Sequence, residues 1–273
     1  MDLTRFPHGL SLVDRNTAAA GAGLSPRIWE DCPILGMLVD PGVGVLVQDD
    51  FTEVRATGHG YELSGDNGTF AAVASAHTGT ALLSAPVGAD NNEAHIAYNN
   101  DVAGCIKCCP DKKWWFEARV KLSQIAAEGG VIVGLLQQAA SASDIIGDSA
   151  GANDMGLTAT LDYIGFQFVE AAANAAPYWR TITQLAARAA VSETAALAST
   201  NYVKLGMKST PNRAGTIAQV KFYVDGIQLA DSTTTASYDF PLNVVLIPHF
   251  GIKTGKNAAF SITLDWWQAA QLR

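Results

Sequence analysis

The sequence is short of charge. Asp, Glu, Lys and Arg make up only 16% of its 273 residues, against roughly a quarter in an ordinary soluble domain. It also lacks a basic excess: 18 Lys and Arg against 26 Asp and Glu give a net charge of −8, which argues against a protein that grips phosphate backbones by releasing counterions. No window reaches the 18 or more uninterrupted apolar residues of a membrane-spanning helix. The opening, Met1 to Leu10, has Asp2, Arg5 and Pro7 where a secretory leader would carry its apolar stretch. A soluble, unexported chain with no nucleic-acid or membrane partner is the expectation. Cysteine is scarce too, and Cys32, Cys105, Cys108 and Cys109 are too few to form a disulfide scaffold in so long a chain. Folding in a reducing compartment is therefore expected.

What the sequence does have is apolar character: 48% of its residues are hydrophobic. A chain of this size buries roughly 70 to 75% of its unfolded surface, so one large core is expected. The low polar share implies that part of the surface faces other proteins, copies of this chain among them. Residues 1–42 show little periodicity and string together Pro7, Gly9, the run Ala18 to Gly23, Pro26, Pro33, Pro41 and Gly42. They read as an extended N-terminal arm. Its isolated bulky residues suggest that it lies on something apolar, its own body or a neighbouring subunit, and Phe6, Leu10, Leu12 and Trp29 are the expected contacts with a shell or a subunit, since large aromatic and aliphatic anchors dominate interface energetics.

From residue 43 to 273 the texture changes to short runs rich in Val, Ile, Thr, Phe, Tyr and Trp, broken by Gly, Asn, Asp and Pro, the pattern of many strands and turns. In Trp114 to Leu122, apolar Trp114, Phe116, Ala118, Val120 and Leu122 alternate with Trp115, Glu117, Arg119 and Lys121, as on a strand that packs by one face. Period-two runs recur at Ile164 to Phe168, at Val220 to Val224 and at Phe260, Ile262, Leu264 and Trp266. Asp225-Gly226 supplies the positive φ angles of a tight hairpin. The alanine-rich stretch Ala186 to Leu197 is the one helix candidate, but it lacks a clean apolar stripe and reads better as a strand and turn. Many strands without intervening helices imply an all-β fold, two antiparallel sheets packed as a jelly-roll sandwich.

Candidate chemistry is sparse. Cys105, Cys108 and Cys109 form a Cys-x-x-Cys-Cys cluster that could offer thiolates to zinc, with only Cys32 or His95 to complete the set; plain thiols are the favoured reading, with no metal and no cofactor. Glu117 has no second carboxylate beside it on its strand face, as a glycosidase requires, and there is no Gly-x-Ser-x-Gly elbow. The expectation is a chain that is not an enzyme. In the Trp114-Trp115 and Trp266-Trp267 doublets, one ring must face the core and the other outward. The period-two pattern makes Trp115 and Trp267 the outward pair, suited to protein contact first and to stacking on a sugar second. The loop Gln137 to Leu157 is long and rich in small residues, and such loops are usually functional.

Several segments, in order along the chain, carry a resemblance. They are Leu3-Thr4-Arg5-Phe6-Pro7-His8-Gly9-Leu10, Asp49-Asp50-Phe51, Gly88-Ala89-Asp90-Asn91-Asn92, Lys113 to Ser123 followed by Val131 to Leu135, Ile164-Gly165-Phe166, Phe222 to Gly226, and Leu264 to Gln268. Together they resemble a family of tailed-bacteriophage virion structural proteins with a concanavalin A-like jelly roll. The resemblance implies a capsid decoration or cement protein on the virion exterior, made in the host cytoplasm, whose partners are the major capsid protein and copies of itself in a homo-oligomer. The alternative is a carbohydrate-binding module on a phage fibre or head that takes a host glycan. The cysteine cluster, the alanine-rich stretch Ala171 to Ala198 and the low charge depart from the family pattern.

Overall fold

The computed structural model describes residues 23–54, 60–66, 68–73, 79–86, 92–99, 104–125, 129–138, 145–147, 157–158, 160–169, 177–186, 188–255 and 259–273. They form two antiparallel sheets of eight strands each, packed face to face. Sheet A holds β1 (Gly44–Asp49), β3 (Thr69–Ala72), β4 (Ala81–Ser84), β7 (Trp114–Leu122), β12 (Val203–Pro211), β13 (Ala218–Val224), β14 (Ile227–Thr234) and β16 (Ser261–Leu272). Sheet B holds β2 (Tyr61–Gly65), β5 (Glu93–Tyr98), β6 (Ile106–Lys107), β8 (Gly129–Gln137), β9 (Tyr163–Val169), β10 (Tyr178–Leu185), β11 (Arg188–Leu197) and β15 (Val245–Thr254). The order is β14-β13-β12-β7-β16-β4-β3 with β1 also on β16, and β11-β10-β9-β8-β15-β5-β2 with β6 also on β15. The expected all-β, antiparallel jelly-roll sandwich is what the chain forms.

The core lies between the sheets and is built by alternation. Trp114, Phe116 and Val120 of β7 meet Val131, Val133 and Leu135 of β8, Ile164, Phe166 and Phe168 of β9, and Phe250 of β15. Asp225 and Gly226 turn β13 into β14 with φ of 50° and 73°. A two-residue turn of this hand matches the twist of the strands it joins. The alanine-rich stretch is strand β11, paired with β10 around a turn at Ala186, whose φ is 49°.

Among the described residues the pairing register slips in β10–β11, in β13–β14 and in β16–β7, and the last of these matters for the site. In the pairing of β16 with β7 the register slips between Leu264 and Trp266, leaving Asp265 as the extra residue of a bulge. Because strand faces alternate with period two, one inserted residue exchanges the two faces for everything beyond it. Ile262 and Leu264 point into the core before the bulge, and Trp267 and Ala269 do so after it.

Two short helices precede β1: α1 (Pro26–Trp29) and α2 (Ile34–Val39). Pro26 opens α1, where its fixed φ suits the first turn and no donor is lost. Ile28, Trp29, Ile34 and Met37 pack on Trp115, Tyr223 and Ala270, on the face of sheet A turned away from the core. The Ile28 methyl lies where a Cβ at Gly206 would stand, so glycine there lets α1 sit close on the sheet. Residues 23–42, expected to belong to an extended arm, are thus partly helical and lie on the chain's own body, one of the two supports expected for them.

Candidate functional site

Each sheet carries a polar layer on its outer face, and each layer is closed by a segment of the chain. On sheet B, Glu93 and His95 of β5 stand opposite Lys253 and Gly251 of β15. Residues two apart on a strand share a face, so Glu93, His95, His249 and Lys253 all project outward, yet all four are buried. His95 Nε2 lies 2.5 Å from Glu93 Oε1, and its Nδ1 lies 3.2 Å from His249 Nε2. Lys253 Nζ is 3.6 Å from Glu93 Oε2. The imidazole of His95 fills the space that a Cβ at Gly251 would take.

Ile146 seals this layer. Its N–H donates to Glu93 Oε1 and its carbonyl accepts from Lys253 Nζ, both at 2.5 Å. One ion pair therefore clamps both backbone groups of one residue. Ile145, Ile146 and Leu161 then pack on Ile132, Leu136, Tyr163 and Ile182. Burial alone would raise the Glu93 pKa, but the bond and charge of His95, the Ile146 N–H and Lys253 outweigh it and hold the carboxyl below its ordinary range. Burial, together with the neighbouring His95, pushes His249 well below the usual histidine value. An ionised carboxylate so supplied with donors serves to hold the strap in place.

On sheet A the closing segment is residues 23–43. Glu117 Oε2 accepts from the Ser25 N–H at 3.0 Å and from Trp29 Nε1 at 2.8 Å. Burial raises the Glu117 carboxyl against the bonds from Ser25, the charge of Lys204 and the bond from Trp29. Asp31 Oδ1 meets Lys208 Nζ at 2.8 Å and accepts from Trp115 Nε1 at 3.1 Å; its Oδ2 meets Lys113 Nζ at 3.0 Å. Partial burial opposes ionisation of Asp31, while Lys208, Lys113 and Trp115 favour it and lower its pKa. Lys204 Nζ donates to the Gly23 carbonyl at 3.0 Å. Where this segment meets the seam of β1 and β16, a cavity of about 420 Å³ opens, lined among others by Gly23, Gln48, Asp49, Asp50, Trp266 and Gln268.

The structure redistributes the residues singled out in the sequence. Trp267 does not face outward: the Asp265 bulge turns it into the core, where it is 1% exposed and its Nε1 donates to Tyr61 Oη at 2.7 Å. The outward ring of that doublet is Trp266, half-buried at the cavity. Trp115 does point away from the core, but α1 and α2 cover it completely. Trp29 is buried against its own chain. Phe6, Leu10 and Leu12 lie outside the described residues. Cys108 and Cys109 are buried, Cys105 is half-buried, and all four thiols are free; burial pushes Cys105 and Cys32 up to about 12. Among the described residues no group of three or more His, Cys, Asp and Glu is placed to hold a metal. Of the loop Gln137 to Leu157, the described parts include the strap at Ile146 and its bridge to Leu157. The Glu93-His95 pair had a signal in its i, i+2 spacing, but the bulge that places Trp266 had none.

No protein-family model matches the chain, and no curated protein matches it in sequence. Solved structures do match in shape. Peanut lectin, in a complex with a 9-residue peptide, aligns with a TM-score of 0.51 at 8% identity, over 84% of this chain and 98% of that one. The fold is a lectin-type, concanavalin A-like jelly roll. Lectin II from Ulex europaeus gives 0.51 at 11% identity, over 83% and 98%, and an endo-1,3-β-glucanase from Streptomyces sioyaensis gives 0.50 at 11%, over 85% and 98%. The glucanase corrects one expectation: a chain of this architecture cannot be set down as a non-enzyme, because the same jelly roll serves lectins and hydrolases and is compatible with either.

Proposed function

We propose that this protein is a structural component of a tailed-phage virion, placed on the capsid exterior and stabilising the shell through contacts with the major capsid protein and with copies of itself. The sequence resemblance along nearly the whole chain supports this reading. The structural observation behind it is the anchorage of residues 23–43. Glu117 and Asp31 fix that segment to sheet A, so any grip that residues 1–22 take on a neighbour is tied directly to the jelly roll. Many weak contacts held in this way sum by multivalency. The test is co-sedimentation of the protein with empty phage heads that lack it, followed by imaging. Stoichiometric binding at symmetry positions of the shell, lost when residues 1–22 are deleted, supports the reading. Failure of the full chain to bind heads overturns it.

A second reading is glycan recognition. It is favoured by the half-buried Trp266 ring beside Asp49 and Asp50 in the cavity, and by the shared fold of the lectins. A glycan array probed with the intact chain tests it, and silence across the array removes it.

A further inference from the structure

We infer that the cavity between residues 23–24 and the β1–β16 seam is a binding site for a neutral saccharide unit, held by the Gln268 amide, the Asp50 carboxylate and the Trp266 ring. The inference rests on the second of the two readings above and gives it a location and a ligand chemistry.

The first observation is an orphan. Gln268 lines the cavity with only 7% of its surface exposed, and its Nε2 has no hydrogen-bond partner among the described residues. A buried donor left without an acceptor is destabilising by about 1–3 kcal/mol, and such groups are rare enough in native proteins to need a cause. The Oε1 of Glu117, its cross-strand partner, is bare as well, and one hydroxyl of a bound ligand, accepting from the amide and donating to the carboxylate, serves both.

The second observation is the set of groups around it. Both oxygens of Asp49 are taken, Oδ1 by the Phe51 N–H at 2.7 Å and Oδ2 by the Tyr61 hydroxyl at 2.8 Å, so Asp49 is wall. Asp50 uses Oδ1 for Thr52, at 3.4 Å to its N–H and 3.1 Å to its hydroxyl, and its Oδ2 takes no bond from the described residues. Among its side chains the cavity therefore offers two amides, the buried one of Gln268 and the exposed one of Gln48, and one carboxylate acceptor. It offers no Lys, Arg or His among the described lining residues.

These groups select the ligand. Two carboxylates without a cation repel phosphates and acidic sugars. An amine would satisfy Asp50 but has no lone pair for Gln268 Nε2. A hydroxyl both donates and accepts, so a polyhydroxylated ligand meets both groups at once. The half-buried indole of Trp266 adds a flat apolar face, suited to the C–H face of a sugar ring. A volume of about 420 Å³ lies in the range of small-molecule pockets.

The test uses the intact chain and its own fluorescence. The other five tryptophans are at most 2% exposed, so acrylamide-accessible emission comes from Trp266. The probes are galactose, N-acetylglucosamine and β-1,3-linked gluco-oligosaccharides, with glucuronic acid as the charged comparison. A neutral sugar should shield the accessible emission while glucuronic acid leaves it unchanged. Gln268→Leu should weaken that binding about tenfold or more with an equal or higher Tm, since it removes a buried unsatisfied group and not a bond. Trp266→Phe should bind and lose the accessible emission. If glycans on an array bind the wild type but bind Q268L equally well, the site is wrong and glycan recognition stands. If no glycan on the array binds the wild type, both are wrong.

Discussion

Nε1 of Trp29 donates a 2.8 Å hydrogen bond to Oε2 of Glu117, joining positions 88 residues apart. Trp29→Phe keeps the ring in its apolar site and deletes only the donor. It should lower the urea-unfolding free energy by about 1–2 kcal/mol, the cost of leaving a buried acceptor short of a donor. Limited proteolysis should also cut within residues 23–43 sooner than in the wild type. An unchanged cleavage pattern would show that Glu117 does not hold the segment.

The fold should be sensitive to acid in two stages. His249 is pushed well below its ordinary value of 6.5, so as pH falls through about 6.5 the unfolded chain takes up a proton that the folded one refuses, and stability declines from there. Glu93 is held below its ordinary 4.5; its stabilisation is complete above that value and is lost as pH falls further. Glu117, whose pKa is raised, has the opposite sign: it favours the fold below about 4.5, and that contribution fades as pH rises through its folded value. Urea titrations between pH 8 and 3 check this. His249→Gln should remove the decline between pH 6.5 and 5. Glu93→Gln, less stable at every pH, should flatten the part below 4.5.

The Trp266-Trp267 doublet separates binding from folding. Trp267→Ala empties a core site and should cost about 3–5 kcal/mol, seen as a large drop in Tm. Trp266→Ala, on the other side of the strand, should cost about 1 kcal/mol or less. Equal losses would mean that the Asp265 bulge does not set the faces as described.

Gly251→Ala places a methyl group where the His95 imidazole lies. Since His95 bridges Glu93 and His249, the ring cannot move without breaking a buried pair. A cost of about 1–3 kcal/mol is expected from overpacking alone. Hydrogen exchange should rise at the Ile146 amide, whose acceptor is Glu93.

Period-two patterning was enough to read the sandwich. The alternation in Trp114 to Leu122, the Asp225-Gly226 turn and the strand-and-turn reading of Ala186 to Leu197 all depend on neighbours within a few residues, and local sequence carries that information. The misassigned Trp267 depends on Asp265, an unpaired residue that leaves the apolar pattern before it intact and inverts the faces of every later residue in the strand. No composition rule distinguishes such a residue from an ordinary outward aspartate; here it pairs with Arg119 on the neighbouring strand. Helices α1 and α2 are four and six residues long, too short to show a helical period. Trp29 read as an outward anchor because its partner, Glu117, is remote in sequence. Closure of the Glu93-His95 layer was equally hidden, since it rests on the backbone of Ile146.

Strand β16 lies in the interior of sheet A, with β7 on one edge and β4 and β1 on the other. During synthesis, β1, β4 and β7 emerge from the ribosome long before residues 261–272 exist, and until then β1 lacks its partner and β4 has only β3. The half-built sheet must wait with its apolar faces and open edges exposed, so the nascent chain passes through an aggregation-prone interval that a chaperone or slow translation would shorten. A ribosome stalled before Ser261 should therefore hold a protease-sensitive chain, and one stalled far enough past Leu272 for that strand to clear the exit tunnel should hold a resistant one.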